Sequence, residues 1–163
     1  MLPVWVMIRP RSRRYRVAFV CTKNSCRSQM AEAFARELAP DVIDPLSAGT
    51  EPAKEVDPRA IEVMREVGID ISDAKPKALA PEETADLDLV VHMGCGSQRC
   101  MVVPGVPTEE WQIEDPEGKG IDAYRAVREL VRTHVVGLAE RLRARAPDDV
   151  GDAAAELLTL RLT

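Results

Sequence analysis

At 163 residues, with 45% hydrophobic, 30% charged and 4% aromatic residues, the chain has the composition of one ordinary globular domain. Its formal net charge of −5 argues against a general nucleic-acid binder, which needs a basic field, so any anion site has to be built locally. No apolar run approaches the roughly 18 residues of a transmembrane helix, so no membrane partner is expected.

The N-terminal residues 2–8 are mostly apolar. Pro3 interrupts them, and Arg9, Arg11, Arg13 and Arg14 follow rather than precede them. A signal peptide has the reverse order and a longer apolar stretch. Residues 1–15 are therefore expected to be a poorly ordered leader to a cytoplasmic protein. Arg16 to Cys21 is a short apolar run that fits a buried strand, and residues 22–28 form a polar loop. Met30, Ala33, Phe34 and Leu38 then recur at helical spacing until Pro40. Val42 to Ala48 reads as a second strand, closed by Gly49. Asp57-Pro58 is an N-cap followed by proline at the first helical position. Ile61, Met64 and Val67 are the predicted apolar face of that helix, and Gly68 its end.

A short helical piece is predicted near Pro81 to Ala85 and a third strand over Leu87 to Met93. A loop with Gly94 and Gly96, whose glycines suggest mobility, carries Cys95 and Cys100. A fourth strand is predicted over Trp111 to Ile113, just before Asp115-Pro116. The last main helix runs from Ile121 to Arg143 with the stripe Tyr124, Val127, Val131, Val135, Leu138 and Leu142. Strands alternating with helices predict an α/β fold, a four-stranded parallel sheet with helices on both faces and ligands at the carboxyl ends of the strands. That rule sends Cys21, Cys95 and Asp115 to one edge. The folded domain is expected over 16–145, followed by a C-terminal extension, 146–163, in which Ala153 to Leu162 could form a further short helix.

Four cysteines without an export signal suggest chemistry or metal rather than structural disulfides. They form two pairs, Cys21/Cys26 and Cys95/Cys100, each with four residues between. The first lies in Cys21-Thr-Lys-Asn-Ser-Cys-Arg27-Ser28, a Cys-x5-Arg-Ser loop between a strand and a helix. Such a turn aims successive backbone N–H groups inward, and the helix N-terminus adds a positive dipole end. Thr22, Lys23, Asn24, Ser25, Cys26 and Arg27 would so hold a tetrahedral oxyanion, with Arg27 gripping two oxygens. The same field favours a Cys21 thiolate able to attack the central atom, and Ser28 can donate a hydrogen bond to it. Cys26 reads either as a second redox cysteine or, preferably, as packing with its side chain turned away. His92 and His134 read as structural.

Val17 to Glu32 (VAFVCTKNSCRSQMAE) resembles the phosphate loop of the low-molecular-weight phosphatase family, on the side of its arsenate reductases. Ser47 to Pro52, Val67 to Ser72, Val90 to Cys95 and Trp111 to Gly118 resemble further segments of that family, so the likeness spans about Arg16 to Arg143. It implies Cys21 as nucleophile, Arg27 as oxyanion binder and Asp115 as general acid, although Asp before Pro is by itself a common turn former. It also implies a relay in which Cys95 attacks the Cys21–arsenate adduct and Cys100 then attacks Cys95. Electrons would come from a thioredoxin-like protein or a small thiol such as mycothiol, with no cofactor or metal bound and the chain a monomer. Reductases of this family that bind potassium use asparagine, glutamate, serine and aspartate. The resemblance puts Asn24, Glu32 and Ser47 at the first three positions and Lys77 at the fourth, where its ammonium is expected to pair with Glu32 and to donate to Asn24 and Ser47. Two rivals remain open. A phosphatase would leave Cys95 and Cys100 idle, and a four-cysteine zinc module would leave Arg27, Ser28 and Asp115 without a role.

Overall fold

The computed structural model describes Ile8, residues 14–94 and residues 101–145. Among these, strands β1 (Tyr15–Cys21), β2 (Ile43–Gly49), β3 (Leu89–Met93) and β4 (Thr108–Trp111) and helices α1 (Arg27–Leu38), α2 (Pro58–Glu66), α3 (Pro81–Thr84) and α4 (Ile121–Arg143) follow in the order β1-α1-β2-α2-α3-β3-β4-α4. All strand pairs are parallel, in the order β2-β1-β3-β4. From β1 the chain adds β2 on one side and β3 on the other. The carboxyl end of β1, occupied by Cys21, is thus the point where strand order reverses and where such sheets leave a crevice.

The alternation of side chains along β1 divides the core. Val17, Phe19 and Cys21 face one side, where they pack with the buried stripes of α1, α2 and α4. Ala18 and Val20 face the other, where Leu46, Ala48, Leu87, Val90 and Val103 close a smaller cluster with Leu79 against it. The single turn α3 lies between Leu79 and Leu87, so its segment covers this second face. The α4 stripe is buried at Tyr124, Val127, Val131, Val135, Leu138 and Leu142, as its periodicity predicts. No helix among the described residues is long and apolar enough to cross a membrane.

Several boundaries and faces differ from the sequence expectation. β4 ends at Trp111 rather than beginning there, so Asp115 sits four residues beyond the strand in an extended connection. Met30, Phe34 and Met64 are buried as expected, but Leu38 and Val67 are 38% and 41% exposed, and the buried faces are completed by Ala31 and Ala35 in α1 and by Ala60 and Val63 in α2. Helical spacing alone admits either choice at a helix end, where one residue of drift turns a side chain by about 100°. In the expected leader, Tyr15 belongs to β1 and Ile8 is buried in the main core, its carbonyl accepting from Arg145 Nη2 at 2.9 Å. Residues 1–7 and 9–13 of that leader and the expected helix Ala153 to Leu162 lie outside the described residues.

The assignment of faces is testable by urea unfolding. Leu138→Ala, at a fully buried position, should cost about 2–5 kcal/mol. Leu38→Ala should stay within about 0.5 kcal/mol of the parent. Comparable losses at both sites would contradict the α1 and α4 packing.

Candidate active site

The loop between β1 and α1 is held by its carbonyl oxygens. Cys21 O accepts from Thr50 N at 3.2 Å, Thr22 O from Glu51 N at 2.8 Å, Lys23 O from Ala53 N at 2.9 Å and Ser25 O from Asp57 N at 2.9 Å. Asn24 O accepts from Gln29 Nε2 at 3.2 Å, and Cys26 O from Met30 N at 2.9 Å. Every carbonyl from 21 to 26 is thus engaged by surrounding structure. In a trans peptide the following N–H points the opposite way, so the N–H groups of residues 22–27 are turned from those partners toward the hollow of the loop. Cys26, the N-cap of α1, makes no side-chain cap, and the first turn holds no acidic residue. The opening N–H groups of α1 therefore remain available to an anion.

Two glycines let the neighbouring strands approach. A Cβ on Gly49, the register partner of Cys21, would lie 2.7 Å from Thr22 O and 2.9 Å from Asn24 N. Gly94, directly after β3, has φ +65°, and a Cβ there would lie 2.5 Å from Arg27 Nη1. Gly94 thus makes room for the arginine, whereas its sequence context suggested loop mobility.

Cys21 is buried, and its Sγ lies 2.9 Å from Ser28 Oγ. The direction of that bond follows from Asn24. The Lys77 backbone N–H can only donate, and it meets Asn24 Oδ1 at 3.0 Å. The other amide atom must then be the nitrogen, which donates to Ser28 Oγ at 2.7 Å. Ser28 accepts there, which leaves its own hydrogen free to be donated to a Cys21 thiolate. Asn24 performs this from a fully buried position with φ +51°, a conformation asparagine tolerates better than most residues. Gln29 Nε2 braces it, reaching Asn24 O and Oδ1 at 3.2 Å and Lys75 O at 3.4 Å.

Arg27 is 5% exposed at its side chain. Its Nη1 donates to Met93 O at 2.7 Å, at the end of β3, and to Ile113 O at 3.1 Å, just beyond β4, while Nη2 faces Asp115 Oδ2 at 3.5 Å. The structure thus brings together Cys21, Arg27, Ser28 and Asp115. Asp115 also forms the turn its proline suggested, Oδ1 accepting from Glu117 N at 3.0 Å. Lys23 Nζ donates to Glu117 Oε1 at 2.7 Å across the rim, which holds the ammonium in its charged form to higher pH than usual.

Cys26 packs in the main core, as its preferred reading held. Burial pushes its thiol well above the ordinary range, and the nearby Asp57 adds to the shift. Asp57 accepts from Arg59 N at the start of α2 and from the Tyr124 hydroxyl of α4, so one carboxylate ties both helices to the loop through its own N–H. His92 is buried beside Met101 O, and His134 stacks on Trp111 with ring centroids 4.9 Å apart. Cys95 and Cys100 lie outside the described residues; Cys95 directly follows Gly94.

The arrangement expected for Lys77 needs correction. Its ammonium pairs with Glu83, in α3, rather than with Glu32. It meets Asn24 through its backbone N–H, and Ser47 Oγ donates to Glu32 Oε2 at 3.0 Å without it. Glu83 is closer to hand because the segment leading from Lys77 into α3 runs over the second face of the sheet. Gln29, the close approach of Gly49 to the loop and the Lys23–Glu117 pair escaped the sequence reading. A buried polar residue in a first helical turn is a usable signal for Gln29; the pair has none, since 94 residues separate its members.

Comparison with known proteins accords with this geometry. An arsenate reductase caught in a phosphate-binding state superimposes with a TM-score of 0.70 and 39% identity, covering 78% of this chain and 98% of its own. The thioredoxin-dependent arsenate reductase of Corynebacterium glutamicum gives 0.67 and 32%, covering 81% of this chain and 63% of its own. The glutaredoxin arsenate reductase of Synechocystis is 40% identical over 132 residues, 78% of this chain and 98% of that protein. Residues 16–147 match the low molecular weight phosphotyrosine protein phosphatase family, and the chain belongs to that family.

Proposed function

We propose that this chain reduces arsenate to arsenite, with Cys21 as nucleophile. The observation that carries the oxyanion chemistry is the loop itself, its carbonyls engaged outside and the Cys21 sulfur at its base. The choice of arsenate is supported by arsenate reductases at 39% and 40% identity over nearly their full length.

In this reading, arsenate settles against the N–H groups of residues 22–27 and one edge of Arg27. The Cys21 thiolate, kept oriented by Ser28, forms a bond to arsenic(V). The departing oxygen takes a proton from Asp115 and leaves as water. The Cys95 thiolate then attacks the Cys21 sulfur. The S–As bond breaks with its electron pair on arsenic, which departs as arsenic(III) in arsenite, and a Cys21–Cys95 disulfide remains. Attack by Cys100 on Cys95 frees Cys21 and leaves a Cys95–Cys100 disulfide. A protein dithiol returns it to two thiols. Thioredoxin is the donor proposed here, in line with the Corynebacterium relative, and glutaredoxin and mycothiol are the alternatives to assay beside it. Residues 16–145 form the catalytic unit, 146–163 an extension, and the chain acts as a monomer in the reducing cytoplasm.

Cys21→Ser should abolish arsenite production with any donor while leaving the urea midpoint close to that of the parent. Measurable turnover would remove Cys21 from its role. Ser28→Ala deletes the hydrogen bond to the sulfur. Adduct formation in a single turnover should slow about 10- to 100-fold, the scale of ~1.5–3 kcal/mol for a hydrogen bond to a charged group.

Cys100→Ala should release one equivalent of arsenite and stop as a Cys21–Cys95 disulfide, whereas Cys95→Ala should release none. Mass spectrometry of the spent proteins distinguishes the two. Steady turnover of Cys100→Ala with thioredoxin would break the relay. Fast hydrolysis of an aryl phosphate without reductant, with no arsenate reduction, would favour the phosphatase after which the family is named.

A further inference from the structure

An in-line attack by Cys21 places the departing oxygen of a bound oxyanion on the side opposite the sulfur. The loop N–H groups take the other oxygens, so the departing one faces Asp115, whose Oδ2 is 3.5 Å from Arg27 Nη2. In free arsenate or phosphate that position is a bare oxygen or hydroxyl. In an ester that oxygen carries an organic group, and in a phosphonate a carbon takes its place; either substituent must continue past the Asp115–Glu117 turn to reach solvent.

Two ionic ties join that turn to the oxyanion loop. The inner one is Arg27–Asp115, with the guanidinium almost fully buried. The outer one is Lys23–Glu117, whose side chains are 46% and 54% exposed and whose Nζ meets both carboxylate oxygens. Lys23 is fixed below by its carbonyl, which accepts from Ala53 N, and Glu117 by its N–H, which donates to Asp115 Oδ1. Both backbones are thus anchored, and the bridge spans the rim on the side where an organic substituent would leave. Gly118, with φ +80°, follows Glu117 and turns the chain back toward α4.

We propose that the Lys23–Glu117 bridge is a specificity clasp that admits free tetrahedral oxyanions and disfavours those carrying an organic substituent. It deepens the proposed arsenate chemistry, on which it rests, by assigning the choice between bare oxyanion and ester to two side chains on the rim, that of Lys23 acting apart from its backbone N–H in the loop. An exposed ion pair is weak, so the discrimination is modest and salt-sensitive.

The test compares two ligands that the enzyme cannot turn over, inorganic phosphate and phenylphosphonate, by calorimetry on the full chain. A purely electrostatic role would change both affinities together and leave their ratio fixed. The clasp predicts that Lys23→Ala and Glu117→Ala, although they remove opposite charges, both shift the ratio toward phenylphosphonate. The expected shift is about two- to fivefold, the scale of one exposed ion pair. The double variant should shift it no further than the larger single one, and the swapped pair Lys23→Glu/Glu117→Lys should return it toward the parent. An unchanged ratio, shifts of opposite sign, or simple additivity would overturn the clasp. Phosphate binding without arsenate reduction would overturn the proposed activity while leaving the clasp readable, and loss of phosphate binding by the parent would overturn both.

Discussion

The molecule turns on the outward capture of six consecutive carbonyl groups, those of residues 21–26, by the segment 50–57, by Gln29 and by α1. A loop hydrogen-bonded in this way leaves its own N–H groups facing one space, and an arc of backbone donors is a strong anion site even in a protein of negative net charge. The sheet serves that arc. Parallel pairing sets the ends of β1 and β2 side by side, so Cys21 opposes Gly49 and residues 50–57 run directly beneath the loop. The missing Cβ of Gly49 decides how close that approach can be.

Charge is distributed around this centre by degree of burial. Arg27 is moored through one nitrogen to carbonyls at the end of β3 and just beyond β4, which fixes its plane and leaves its other edge toward Asp115. Donors held before a ligand arrives spare it the cost of ordering them. The two cysteines of the same loop are both buried and are separated by their neighbours instead. Cys21 ends a strand beside the Ser28 hydroxyl, whereas Cys26 is buried near Asp57, where burial and the carboxylate both favour the neutral thiol. Spacing alone treats the two alike; their surroundings do not.

Hydrogen-bond direction is set from farther away. The backbone N–H of Lys77 orients the Asn24 amide, which donates to Ser28, whose hydroxyl lies against Cys21. Lys77 therefore matters to the site through an atom that every residue except proline possesses, while its ammonium is occupied with Glu83. A reading based on side-chain identity puts Lys77 near the right place with the wrong contact, because identity carries no information about which backbone groups meet.

Much was legible in the sequence by itself. The parallel α/β class followed from apolar runs alternating with helical periods, α4 from a stripe within a helix that ends at Arg143, and the loop carrying Cys21, Arg27 and Ser28 from their fixed spacing between strand and helix. These are local properties, written in residues close together along the chain. Only the tertiary structure decided the rest. It displaced β4 to Thr108–Trp111, because a short edge strand is defined by its partner β3 more than by its own residues. It gave Gly94 its role, because the atom that excludes a side chain there belongs to Arg27, 67 positions earlier. It joined Lys23 to Glu117 and Asp57 to Tyr124, contacts between charged and polar groups that follow no period in the sequence and exist once the sheet has brought its carboxyl edge together.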